Sequence, residues 1–136
     1  MTVGAFLRYF PDAPGEAPDC GKMANDPSGA DWTAGEDFGS EDEVLLRKNC
    51  ARILHRYLQK VMSVRDVTTG LPSYEDVRDI YDCRICAPHI SQVLARGIME
   101  TRTWGTLQLF EGNGEVLKEE ASLYISRMLK KGQEEI

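Results

Sequence analysis

A chain of 136 residues suits one compact domain, and its 42% hydrophobic residues are enough for a core. No run approaches the ~20 apolar residues of a membrane span, and the opening Met1-Thr2-Val3-Gly4-Ala5-Phe6-Leu7-Arg8 has neither the basic start nor the apolar stretch of a secretory leader. The formal charge of −6 is segregated: ten acidic residues against Lys22 alone lie between Pro11 and Glu43, and no basic stripe with interleaved aromatics argues for direct nucleic-acid binding.

Residues 1–39 read as a loop-rich acidic arm, because runs such as APGEAPDCG and NDPSGAD favour turns and extended backbone. Phe6, Leu7, Tyr9 and Phe10 give that arm one apolar anchor. A helical domain follows over 40–136. Its first helix is expected to start near Ser40–Asp42, with Ser40 or Asp42 as the cap, and to run to about Met62. Leu46, Cys50, Ile53, Leu54, Tyr57, Leu58 and Val61 form its buried stripe. His55 falls outside that stripe and is expected to face solvent.

Thr69-Gly70-Leu71-Pro72 turns the chain. A second helix is expected over Cys86–Arg96, with Pro88 in its first turn, His89 at the surface of its start, and Gly97 just past its end. Thr101–Gly114 reads as a loop with extended character. A third helix covers about Val116–Lys131 on the stripe Leu117, Ala121, Tyr124, Ile125, Met128 and Leu129, and Gly132 is its expected stop. The fold class is therefore mainly α, a small helical bundle.

Two segments repeat. Residues 32–58 read WTAGEDFGSEDEVLLRKNCARILHRYL and residues 104–129 read WGTLQLFEGNGEVLKEEASLYISRML. Trp32 and Trp104 each precede a phenylalanine by six residues, and Glu43-Val44-Leu45 recurs as Glu115-Val116-Leu117. One extra residue, Leu46, then precedes the matched basic positions Arg47 and Lys118. A short helix pair cannot bury its own apolar face, so such units stack on one another. Two units leave an apolar side uncovered, and self-association is one way to cover it.

The second copy resembles the S-layer homology module, a repeat of bacterial cell-surface proteins. The resemblance covers about 71–131. Tyr74-Glu75-Asp76-Val77 looks like that family's opening, and Ala87-Pro88-His89-Ile90 with Leu94-Ala95-Arg96-Gly97-Ile98 looks like its first helix. Phe110-Glu111-Gly112-Asn113-Gly114 looks like its loop, and Leu117-Lys118-Glu119-Glu120-Ala121 stands where the family carries T-R-A-E. Residues 32–58 resemble the loop and second helix of a preceding copy, with Leu46-Arg47-Lys48-Asn49 at the same place. The resemblance implies three-repeat modules that bind anionic, pyruvylated cell-wall polysaccharide. It places ligand contacts at Arg47, Lys118 and Glu120, with Trp32 and Trp104 offering stacking faces. A guanidinium suits that task because its planar fork pairs a carboxylate bidentately.

Four cysteines (Cys20, Cys50, Cys83, Cys86) are few for a disulfide scaffold and read as thiols. Cys83-Arg84-Ile85-Cys86 with His89 has a weak metal-ligand spacing, but a structural zinc needs four closed ligands. A thioredoxin-type redox role needs a strand before the CxxC, so small packing residues at a helix start are the expected reading. No P-loop, dinucleotide-binding glycine pattern or HExxH occurs, no cofactor is called for, and the chain reads as non-enzymatic. Its expected role is an interaction module that grips a protein partner, with the chain itself acting, for instance, as an inhibitor encoded by a phage or mobile element. The alternative is anchoring to cell-wall polysaccharide. A cytoplasmic location is expected for the chain as it stands, and a cell-surface one if it is part of a longer exported protein.

Overall fold

A computed structural model describes residues 1–10, 42–73 and 75–135. Most of the acidic stretch, with Cys20, Trp32 and Phe38, and also Tyr74 of the family-like opening, lies outside them. Along the chain come α1 (Val3–Leu7), α2 (Arg47–Lys60), α3 (Ala87–Ala95), β1 (Arg102–Trp104), β2 (Leu107–Leu109) and α4 (Lys118–Glu135). Among the described residues the fold is mainly α with one small antiparallel hairpin.

α2 is the axis of the molecule. Cys50, Ala51, Ile53, Leu54, Tyr57 and Leu58 are fully buried or nearly so, and α3 and α4 pack against it. A helix covered from two sides buries more than one stripe. This corrects the expected solvent-facing His55, which is only 3% exposed. α1 is too short to persist alone. It is held because Val3, Phe6 and Leu7 enter the core and the Thr2 hydroxyl accepts the Ala5 N–H at 3.2 Å, capping its start.

α2 begins at Arg47, several residues later than the expected Ser40–Asp42 start, with no side-chain cap. Residues 43–46 are extended instead and are laced on both sides. Val3 donates to Glu43 O and Leu45 to Met1 O, each at 2.9 Å. On the other side Val116 donates to Leu45 O at 3.0 Å, Arg47 to Gly114 O at 2.8 Å and Lys48 to Gly112 O at 2.9 Å. The first N–H groups of a helix lack intrahelical partners. Here the carbonyls of the loop before α4 take two of them, so tertiary pairing replaces the cap.

The expected loop over Thr101–Gly114 contains the hairpin, in register Arg102 with Leu109 and Trp104 with Leu107. Gly105 makes its two-residue turn possible at φ 64°. Asp79 fixes the exit: its carboxylate accepts the Phe110 N–H at 2.7 Å and the Glu111 N–H at 2.8 Å. α4 does not stop at Gly132 but runs through it, because a side chain there would collide with Met62 and the glycine instead lets that thioether pass. Among the described residues no helix is long and apolar enough to cross a membrane.

Candidate functional site

Arg47 is the most deeply placed of the described residues matched to ligand contacts. It is 1% exposed, among the largest fully buried side chains of the protein. Its Nε donates to Phe110 O at 2.8 Å, Nη1 to the Tyr124 hydroxyl at 3.0 Å, and Nη2 to Glu100 O, while the guanidinium lies 4.8 Å from the Phe110 ring centroid. These contacts pin the start of α2 to the segment beyond the hairpin and to α4.

A chain of polar contacts leads outward from there. The Tyr124 hydroxyl donates to Glu120 at 3.4 Å, and Arg102 reaches Glu120 at 3.5 Å and Glu111 at 3.0 Å. The Trp104 indole donates to Glu111 at 3.0 Å. The structure thus joins Arg47, Glu120 and Trp104 in one network from core to surface. Glu120 also caps α4, accepting the Leu117 N–H at 3.0 Å, and Lys118 is exposed on the first turn of that helix. Trp104, 59% exposed, and Leu107, 45% exposed, present apolar surface on the hairpin.

Beside the hairpin lies an open groove of about 850 Å³. Leu71, Pro72, Val77, Leu94 and Met99 give it apolar lining, and Asp76, Glu100, Thr101, Gln108 and Arg127 give it polar lining. Arg127 is held in place by Ile98 O and the Glu100 carboxylate, both at 3.3 Å. None of the described residues matched to ligand contacts lines this groove. Its lining comes from the turn after α2, the end of α3, the hairpin and α4, a convergence of distant segments that helical periodicity does not reveal.

A second polar cluster joins α2 to α3. His55 Nδ1 and His89 Nδ1 lie 2.8 Å apart, and His55 Nε2 lies 2.7 Å from Asp66. His89 is partly buried against His55, not standing at the surface as its place at a helix start implied. Gln92 of α3 clamps the same loop, bonding the N–H and carbonyl of Val67 at 2.9 Å each.

The expected thiols at Cys83 and Cys86 are corrected: the two are joined in a disulfide across three residues, so neither sulfur is available to a metal in this state. Among the described residues no group of three or more His, Cys, Asp or Glu side chains is arranged to hold a metal ion. Cys50 is a free thiol in the core, and burial pushes its pKa far up, with the Arg47 charge opposing. Comparison with known proteins finds no matching family model, no matching curated protein and no matching solved structure.

Proposed function

We propose that the protein is a binding module that takes an extended polypeptide segment of a partner into the groove between residues 70–72 with 76–77, the end of α3 and the hairpin. The observation carrying this reading is the groove's mixed lining, with apolar side chains for burial and Arg127, Glu100, Asp76 and Gln108 placed to meet backbone and polar groups. Binding sites combine apolar walls with a few convergent polar groups in this way.

The S-layer-homology-like architecture belongs to the same proposal. It is supported by the matched residues themselves: α2 starts at Arg47 and α4 at Lys118, the two positions aligned by sequence, and the segments ahead of both helices are paired. A second reading, attachment to anionic cell-wall polysaccharide, is favoured by the exposed Trp104 ring beside Arg102, a stacking face next to a cation.

Selection from a random-peptide display library tests the first reading. Selected peptides should lose most of their affinity for Leu71→Asp, a groove substitution at an exposed position, and keep it for Tyr81→Asp outside the groove. Binding indifferent to Leu71→Asp overturns the groove. Sedimentation with purified bacterial cell walls tests the second, which requires retention that Trp104→Ala abolishes.

A further inference from the structure

The Cys83–Cys86 disulfide is built unlike an inert staple. It spans three residues, with 5.2 Å between Cα atoms, so it closes no long loop and constrains little of the unfolded chain. Its two sulfurs sit in different surroundings. Cys86 is 1% exposed and belongs to the core, whereas Cys83 is partly exposed at the core's edge. Cys86 immediately precedes the nine-residue α3, and Ile90 N–H bonds its carbonyl at 2.9 Å, so the residue is the N-cap of that helix.

The surroundings also fit a visitor. Arg84 and Ile85, between the two cysteines, are exposed, Ile85 by 65%, and Tyr81 two residues upstream is exposed by 57%. A shallow concavity of about 580 Å³, lined by Tyr81, Arg84, Ala87, Pro88 and Ser91, adjoins the pair. Apolar surface left open around a disulfide is what a polypeptide needs in order to rest there while its own cysteine approaches.

We propose that Cys83–Cys86 is a thiol–disulfide exchange site for a polypeptide carrying two cysteines flanked by apolar residues. The partner's thiolate attacks Cys83 Sγ, the more accessible sulfur. The Cys83–Cys86 bond breaks, a mixed disulfide forms, and the electron pair leaves on Cys86 Sγ, which then takes a proton. The partner's second thiolate then attacks its own sulfur in the mixed disulfide, releasing Cys83 as thiolate. Two electrons pass to this chain, and the partner leaves oxidised. The inference is independent of the groove, which lies on other residues.

The test uses the full chain with Cys20→Ser, in which Cys50 is shielded by burial. The folded protein is incubated with reduced glutathione, quenched in acid and mapped by mass spectrometry. The expected result is a glutathione adduct on Cys83 and not on Cys86; in Cys86→Ser, where Cys83 is a free thiol, oxidised glutathione should form an adduct at Cys83 that persists because no second sulfur resolves it. A synthetic dicysteine peptide with flanking leucines should react about tenfold faster than glutathione, a gain equal to one modest apolar contact, and Tyr81→Asp with Ile85→Asp should abolish that advantage. The wild-type adduct map needs no substitution in the pair, so it stands even if Cys86→Ser does not fold. A disulfide that stays oxidised until urea unfolds the chain, or an adduct found first on Cys86, overturns the proposal.

Discussion

Arg47 and Phe110 meet twice, through a 2.8 Å hydrogen bond from Nε to the phenylalanine carbonyl and through the guanidinium lying 4.8 Å from its ring centroid. Sixty-three residues separate them in sequence. The contact therefore carries the join between the two helical halves. Removing one partner of a buried charged network leaves acceptors unsatisfied and a cavity behind. Arg47→Ala should cost about 3–5 kcal/mol in urea unfolding, and Arg47→Lys should recover only a minor part, since an ammonium cannot reach three diverging acceptors. A loss within 1 kcal/mol would show that the guanidinium is not the join. The same burial makes Arg47→Ala a poor probe of ligand binding, because loss of fold and loss of ligand would look alike.

His55 and His89 face one another through Nδ1 atoms, so one ring must donate and the other accept. Asp66 accepts from His55 Nε2. With His55 neutral, its proton sits on Nε2 and its Nδ1 must accept from His89. At pH 8 long-range nitrogen–proton NMR spectra should show His55 as the Nε2–H tautomer and His89 as the Nδ1–H tautomer. Asp66→Asn should disturb both rings, His55 through its 2.7 Å contact and His89 through the 2.8 Å contact between the rings. Finding both rings as Nε2–H tautomers at pH 8 would break the relay.

The helices were legible in the chain because burial leaves a period, and the stripes of α2 and α4 contain the predicted Cys50, Ile53, Leu54, Tyr57, Ala121, Tyr124 and Met128. Helix starts were not. Ser40 and Asp42 are good caps by residue type, yet carbonyls of Gly112 and Gly114, more than sixty residues on, take the N–H groups that a cap would have served. The groove and the histidine pair were hidden for the same reason, since both exist only where distant segments converge. The CxxC spacing was plain, but its bonded state depends on where the start of α3 places the two sulfurs. Trp104, singled out by the repeat, lies exposed on the hairpin.

Burial raises the pKa of Cys50 strongly and that of Tyr124 as well, with the Arg47 charge opposing in both cases. The ordinary values are 9.0 for the thiol and 10.0 for the phenol. An acid whose folded pKa is raised contributes stability that is fully present below its ordinary value and is lost as pH rises through the folded value. Alkali should therefore destabilise the protein from about pH 9 upward, with Cys50 alone contributing a slope of up to ~1.4 kcal/mol per pH unit. Urea midpoints between pH 8 and 10.5 should fall less steeply for Cys50→Ala than for the wild type, whatever the variant's stability at pH 7. Parallel slopes would mean that Cys50 already ionises in the folded state.

Gly132 and Met62 test how α4 closes on the end of α2. A Cβ at Gly132 would lie 2.5 Å from Met62 Cε, 2.6 Å from its Sδ and 3.3 Å from Leu58 Cδ2. Glycine inside a helix costs about 1 kcal/mol relative to alanine, so Gly132→Ala sets that gain against displacement of a buried thioether. The two effects oppose, and the single substitution should be close to neutral. Met62→Ala alone should cost about 2–5 kcal/mol through the cavity it leaves. In that background the methyl of Gly132→Ala has room, and the helix gain should emerge undiminished, giving a coupling of roughly 1 kcal/mol or more between the sites. Strict additivity of the two substitutions would mean that the helices do not approach at this point, and that glycine at position 132 has no packing reason to be there.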